Sequence, residues 1–125
     1  MEWEPIKGFE ALEVRRSDTG VVVARFLDRR ISEKDLVRQI GEEMEELLPL
    51  AESSEKLVID FENLEFICSS MIQKTIDLKK AAISASIQFR LCNICPEILE
   101  VFEITRLSEF FTINPDLERA LASFG

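Results

Sequence analysis

The sequence predicts an α/β fold, a mixed and mostly parallel sheet of about five strands covered by about four helices. Three observations carry this reading. Short β-branched, apolar runs alternate with longer segments of helical periodicity, the pattern of strand–helix–strand units. Two strand-like segments at the start flank Ser17-Asp18-Thr19-Gly20, whose residue types favour a tight turn, so the sheet opens on an antiparallel hairpin. The 125 residues suffice for one hydrophobic core and fall short of two ordinary domains.

The predicted order is β-β-α-β-α-β-α-β-α. Residues 1–8 read as an N-terminal extension, because Pro5 and Gly8 interrupt any regular pattern, and one domain follows over 9–124. Residues 9–16 form the first strand, with Leu12 and Val14 alternating with Glu13 and Arg15. Residues 21–27 are more continuously apolar and predict a more buried second strand. Ser32-Glu33-Lys34-Asp35 resembles a capping box, and Ile31 with Leu36 a hydrophobic staple, so the first helix starts at Ser32 and ends at Pro49. Leu36, Ile40, Met44, Leu47 and Leu48 form its apolar stripe, which leaves Glu42, Glu43, Glu45 and Glu46 to a solvated face.

Lys56-Leu57-Val58-Ile59-Asp60-Phe61 is a short apolar run, as expected of a central strand covered on both faces. A loop over 62–68 leads to a second helix over about 70–84, with Met71, Ile72, Ile76, Leu78, Ala82 and Ile83 facing inward. Residues 87–91 alternate as a further strand. Pro96 suits the first position of a third helix, with Ile98, Leu99 and Phe102 inward. Residues 110–113 read as a short edge strand. Pro115 opens a last helix carrying Leu117, Ala120, Leu121 and Phe124. In open sheets of this kind, function sits beyond the carboxyl ends of the strands. Those ends are the segment before Ser70 and the junction Asn93-Ile94-Cys95.

Composition narrows the function classes. Apolar residues make up 46% and charged residues 31%, the balance of a globular chain. With 15 basic against 24 acidic residues the net charge is −9, which disfavours nucleic acid and anionic membrane as partners. Histidine and tyrosine are absent, which removes the commonest general base and metal ligand and argues against an enzyme. Cys68, Cys92 and Cys95 are an odd set, read as reduced thiols of a cytoplasmic protein. Cys92-Asn93-Ile94-Cys95 has no second ligand pair for zinc, so no metal and no cofactor is expected. Four glycines form no phosphate-binding loop.

The segment Ile59-Asp60-Phe61-Glu62-Asn63-Leu64-Glu65-Phe66-Ile67-Cys68-Ser69-Ser70-Met71-Ile72 resembles the signature of the bacterial anti-sigma-factor antagonist family, the STAS domain. That signature reads apolar-Asp-apolar-Ser-x-Leu-x-Phe-apolar-Asp-Ser-Ser-Gly-Leu. Leu91-Cys92-Asn93-Ile94-Cys95-Pro96 is similar to the family's strand and Ser-Pro turn, and Leu27-Asp28-Arg29-Arg30-Ile31-Ser32 to its loop before the first helix. The resemblance spans about residues 9–124. It implies a non-enzymatic partner-switching module in transcription control, whose partner is an anti-sigma factor that is also a serine kinase. It further implies that docking uses the start of the second helix and neighbouring loops: Asp28, Cys68, Ser69, Ser70, Met71, Asn93, Ile94 and Cys95. The phosphorylation position falls on Ser70, with Ser69 as second choice.

Two departures from the signature flank the serines, Cys68 in place of its Asp and Met71 in place of its Gly. The first removes a carboxylate beside the acceptor hydroxyl, and the second adds a long side chain where a partner would approach. Read without the family, Ser69 or Ser70 is an N-cap, with Gln73 completing a capping box. A different function class, a sensor of a small ligand or nucleotide, would need a pocket between the second and third helices. A monomer or weak homodimer is expected.

Overall fold

The computed structural model describes residues 2–124. Its elements are β1 (Trp3–Ile6), β2 (Leu12–Ser17), β3 (Val22–Phe26), β4 (Arg30–Ile31), α1 (Lys34–Ala51), β5 (Lys56–Asp60), β6 (Phe66–Ile67), α2 (Ser69–Ser84), β7 (Gln88–Cys92), α3 (Pro96–Ile104), α4 (Leu107–Phe110), β8 (Ile113–Asn114) and α5 (Leu117–Ala122). Six strands form one sheet in the order β1-β2-β3-β5-β7-β8, and β4 pairs with β6 apart from it. The pairs β1–β2 and β2–β3 are antiparallel, whereas β3–β5, β5–β7 and β7–β8 are parallel. The α/β class and the mostly parallel sheet follow the sequence, with one more strand in the main sheet than expected.

Strand pleating sends alternate side chains to opposite faces. Val22, Ala24, Leu57, Ile59, Phe89 and Leu91 face the main core, which includes buried residues of α1, α2 and α3. Val21, Val23, Val58 and Cys92 face a smaller cluster closed by Ala120 and Phe124 at the C-terminal end. Phe26, Phe61, Phe102 and Phe111 follow one another through the main core at ring separations of 5.3, 6.2 and 5.6 Å. The first two of these contacts are edge-on and the last is stacked, both favourable arrangements of aromatic quadrupoles.

Several expectations are corrected by long-range contacts. Residues 3–6 are an edge strand, not an irregular extension, with Trp3 opposite Ser17 and Ile6 opposite Val14. Pro5 is tolerated there because an edge strand needs its N–H groups on one side only. The guanidinium of Arg15 lies 4.1 Å over the Trp3 ring and adds a cation–π contact.

Helix α1 starts at Lys34, with Glu33 as N-cap and no side-chain cap, so the Ser32 capping box does not form. The ladder with β6 ends at Ile31, and the backbone is still extended at Glu33, beyond the predicted start. Pro49 lies inside α1, which continues to Ala51. The exposed proline ring gives up one hydrogen bond, while Ala51 is buried and Arg16 donates to the carbonyl of Leu50 at 3.0 Å. Glu43 departs furthest from the solvated face: it is 7% exposed and accepts from the backbone N–H groups of Glu10, Ala11 and Leu12. Near the C-terminus, residues 107–110 are helical and the edge strand is Ile113–Asn114. Asp116 caps α5 by accepting from the N–H of Arg119 at 2.8 Å.

Candidate functional site

Strands β5 and β7 end side by side, and Asp60 faces Cys92 in their register. The Asp60 carboxylate is fully buried. Its Oδ1 accepts from the N–H of Glu62 at 2.9 Å and from the Asn93 amide at 3.0 Å. Asn93 has φ 56, in the left-handed region that asparagine tolerates better than most residues. One carboxylate therefore shapes both loops leaving the carboxyl ends of the central strands. Burial first, and then the neighbouring Asp60 carboxylate, push the Cys92 thiol well above its usual range and hold it protonated.

The chain from Glu62 to Cys68 is more ordered than a loop. The Asn63 amide donates to the Phe26 carbonyl at 2.9 Å, and the Glu65 N–H donates to the Arg29 carbonyl at 2.7 Å. The short ladder of β4 and β6 follows, and the Cys68 N–H donates to Ile31 at 2.9 Å. The Arg29–Glu65 ion pair and Arg30 stacked 4.7 Å over Phe66 reinforce the same junction. The loop holding Asp28 is thereby tied to the start of α2.

Cys68 is the N-cap of α2 and offers no side-chain cap, which places Ser69 and Ser70 at the first two helical positions. Neither serine is therefore the N-cap, and Gln73 bonds to Asp77 instead. Met71 and Ile72 donate to the Cys68 carbonyl at 3.0 and 3.1 Å. Among the described residues, the N–H groups of Ser69 and Ser70 make no hydrogen bond, and neither does either hydroxyl. Two exposed hydroxyls thus sit on the positive end of a 16-residue helix, where negative charge is favoured.

Of the expected docking residues, Asp28, Ser69 and Ser70 are exposed, and Cys68, Asn93, Ile94 and Cys95 are half-buried. Met71 is 0% exposed and packs in the core, so it is not the surface contact its place in the motif suggested. The rotation of α2 against the sheet buries Met71, Thr75, Leu78 and Ala82 and leaves Ile83 exposed. Asn93 is turned toward Asp60 and supports the loop from within. Cys95 is the N-cap of α3, with Pro96 next, and likewise makes no side-chain cap.

Lys34 is a residue the sequence did not single out. With Ser32, Val37, Cys68 and Ser70 it bounds an open hollow of about 320 Å³ between the starts of α1 and α2. Nothing in the local sequence links Lys34 to Ser70, since the β4–β6 ladder creates their proximity. Phe66, 39% exposed, is the other addition. It lines a cleft of about 90 Å³ with Ile72 of α2 and Ile98 and Val101 of α3. Among the described residues no group of three potential ligands is placed to hold a metal ion. No described helix is long and apolar enough to cross a membrane.

Comparison with curated proteins finds no significant relative. Solved structures are more informative. An anti-sigma-factor antagonist (STAS) domain protein from Planctomyces limnophilus has a TM-score of 0.74 at 24% identity, covering 90% of this chain and 96% of that one. An anti-sigma factor antagonist from Mycobacterium paratuberculosis has a TM-score of 0.77 at 19% identity, covering 90% and 91%. The Bacillus cell fate determinant SpoIIAA in its phosphorylated form has a TM-score of 0.67 at 18% identity, covering 92% and 100%. These likenesses establish the fold. The sequence itself matches the family profile of the STAS domain over residues 23–120, so the chain belongs to the STAS domain family.

Proposed function

We propose that this chain is a non-enzymatic partner-switching module of the anti-sigma-factor antagonist kind, acting in the cytoplasm. The start of α2 docks an anti-sigma factor with serine-kinase activity, and phosphorylation of Ser70 ends the docking. One observation carries the reading: Ser69 and Ser70 are exposed at the uncapped start of α2, with hydroxyls and N–H groups free of internal partners. Asp28, Cys68, Asn93, Ile94 and Cys95 frame that helix start and complete the docking face, with Met71 supporting it from the core. A phosphate there adds roughly −2 charge, faces the unpaired N–H groups, and shares its hollow with Lys34. It changes the surface a partner reads without touching the core.

The sensor alternative finds less support. The cleft between α2 and α3 is about 90 Å³, against the roughly 300–1,000 Å³ of ordinary ligand pockets.

The test is phosphopeptide mapping of the protein isolated from its own cells across growth conditions, paired with binding to an anti-sigma factor serine kinase. Trypsin releases residues 57–74, whose only hydroxyl side chains are Ser69 and Ser70. Phosphate on Ser70, and loss of kinase binding on Ser70→Glu but not on Ser70→Ala, are the expected results. A fully covered, unmodified peptide together with equal binding by Ser70→Glu overturns the reading.

A further inference from the structure

A row of polar side chains crosses the sheet at the carboxyl ends of its parallel strands. Glu13, Arg25, Asp60, Cys92 and Asn114 are successive partners in register, from β2 through β3, β5 and β7 to β8. Arg25 follows Val23 by two residues and Asp60 follows Val58 by two, so both side chains leave the sheet on the face of the smaller cluster. Three atoms of the row are buried without a hydrogen-bond partner among the described residues: Arg25 Nε, Asp60 Oδ2 and Asn114 Oδ1. Folded proteins satisfy such groups with other protein groups or with ordered water.

Arg25 and Asp60 are opposite in charge and adjacent in register, yet they form no ion pair. The outer nitrogens of Arg25 reach Glu13 at 3.0 Å and Glu62 at 3.7 Å instead. An N–H donor and a carboxylate acceptor are thus left on neighbouring strands, whose backbones run about 4.8 Å apart. A water that accepts from one group and donates to the other spans about 5 Å. We infer that one buried water accepts from Arg25 Nε–H and donates to Asp60 Oδ2, making the two a solvent-bridged ion pair. The chemistry selects a neutral molecule of that size, because a cation would meet the guanidinium and an anion the carboxylate. Asn114 lies two strands beyond Asp60, about 10 Å by the same spacing, and is out of reach of that water. Cys92 flanks Asp60 on its other side, but a thiol is a weak donor and leaves acceptor capacity on the carboxylate.

The water closes a ring. Glu62 N–H donates to Asp60 Oδ1 at 2.9 Å, and the Glu62 carboxylate returns to Arg25. Asp60 is fully buried and forms no ion pair among the described residues, and a buried charge is costly unless it is paired. Arg25 is therefore a positioning residue for the segment over 62–68 that leads into α2, whatever the start of that helix docks.

The test is nuclear magnetic resonance of the full chain labelled with ¹⁵N, which reads the Arg25 Nε–H directly. Arg25→Lys assigns that signal by removing it. In the wild type it should exchange with solvent at least about tenfold more slowly than that of exposed Arg38 and show a cross-peak to a long-lived water. Asp60→Asn removes the charge and should move the signal upfield. Arg25→Lys keeps a cation for Glu62 but opens the ring, so hydrogen exchange at the Glu62 amide should speed up by about tenfold. Glu13→Gln weakens only the partner of Arg25 outside the ring and should leave that amide unchanged. The inference is overturned by any one of four results: no water cross-peak, exchange as fast as that of Arg38, a signal indifferent to Asp60→Asn, or equal effects of Arg25→Lys and Glu13→Gln on the Glu62 amide.

Discussion

Replacing Glu43 tests the least expected feature of the fold. Its Oε1 accepts from Glu10 at 3.1 Å, Ala11 at 3.1 Å and Leu12 at 3.2 Å, while Oε2 accepts from Ala11 at 3.0 Å and from the Gln39 amide at 3.2 Å. Ala11 and Leu12 are buried, so Glu43→Ala strands two N–H groups away from water. Each stranded donor costs about 1–3 kcal/mol. Because the adjoining residues 8–10 lie toward solvent, water relieves part of that, and the expected loss is about 3 kcal/mol. Glu43→Gln keeps one acceptor oxygen but turns an amide NH₂ toward donors, and about 1.5 kcal/mol is expected. Glu46→Ala, on the exposed face, should stay within about 0.5 kcal/mol of wild type. Urea unfolding reads the series directly. With a slope of about 1.5 kcal/mol/M, the midpoint of Glu43→Ala falls by about 2 M at unchanged slope. A loss below about 0.5 kcal/mol, the value for an ordinary surface glutamate, would refute the assignment of Glu43 as the acceptor that fastens the approach to β2 onto α1.

Two further outcomes concern the strand ends. Asn93→Gly keeps the left-handed backbone and loses the bond to Asp60, whereas Asn93→Ala loses both. Thermal melts should therefore rank Gly above Ala, with the alanine variant lower by about 1 kcal/mol. Cys92 is fully buried and its pKa is raised by burial and by Asp60, so a thiol reagent should label Cys68 and Cys95 readily and Cys92 only on global unfolding. The folded state keeps a Cys92 proton that the unfolded chain releases above about pH 8.5. Its contribution to stability is thus complete below that pH and declines as pH rises beyond it. Cys92→Ala should flatten that decline in pH-dependent unfolding, and an identical slope in both proteins would count against a buried, protonated thiol.

What was legible before folding is what neighbouring residues decide among themselves. The central strand shows in Leu57-Val58-Ile59, because a run of β-branched and aliphatic residues suits a strand covered on both faces. The hairpin shows in residues 17–20, where the Ser17 hydroxyl accepts from the Val21 N–H at 3.0 Å and Gly20 takes φ 89. The start of α3 shows in Pro96, and the position of the paired serines shows in their motif. What folding added rests on partners far along the chain. Arg29, Arg30 and Ile31 have to meet residues 65–68 before the β4–β6 ladder exists, and that ladder joins the approaches to α1 and α2, whose Lys34 and Ser70 then line one hollow. Glu43 shares its spacing with three solvated neighbours and differs from them only in facing residues 10–12, more than thirty positions away. Met71 carries two readings in the sequence, inward by its place in the apolar set of the second helix and surface by its place beside the serines, and the structure decides for the first. It is core because α2 packs on the sheet along the line of Met71, Thr75, Leu78 and Ala82, and a rigid helix that buries one of them buries all four.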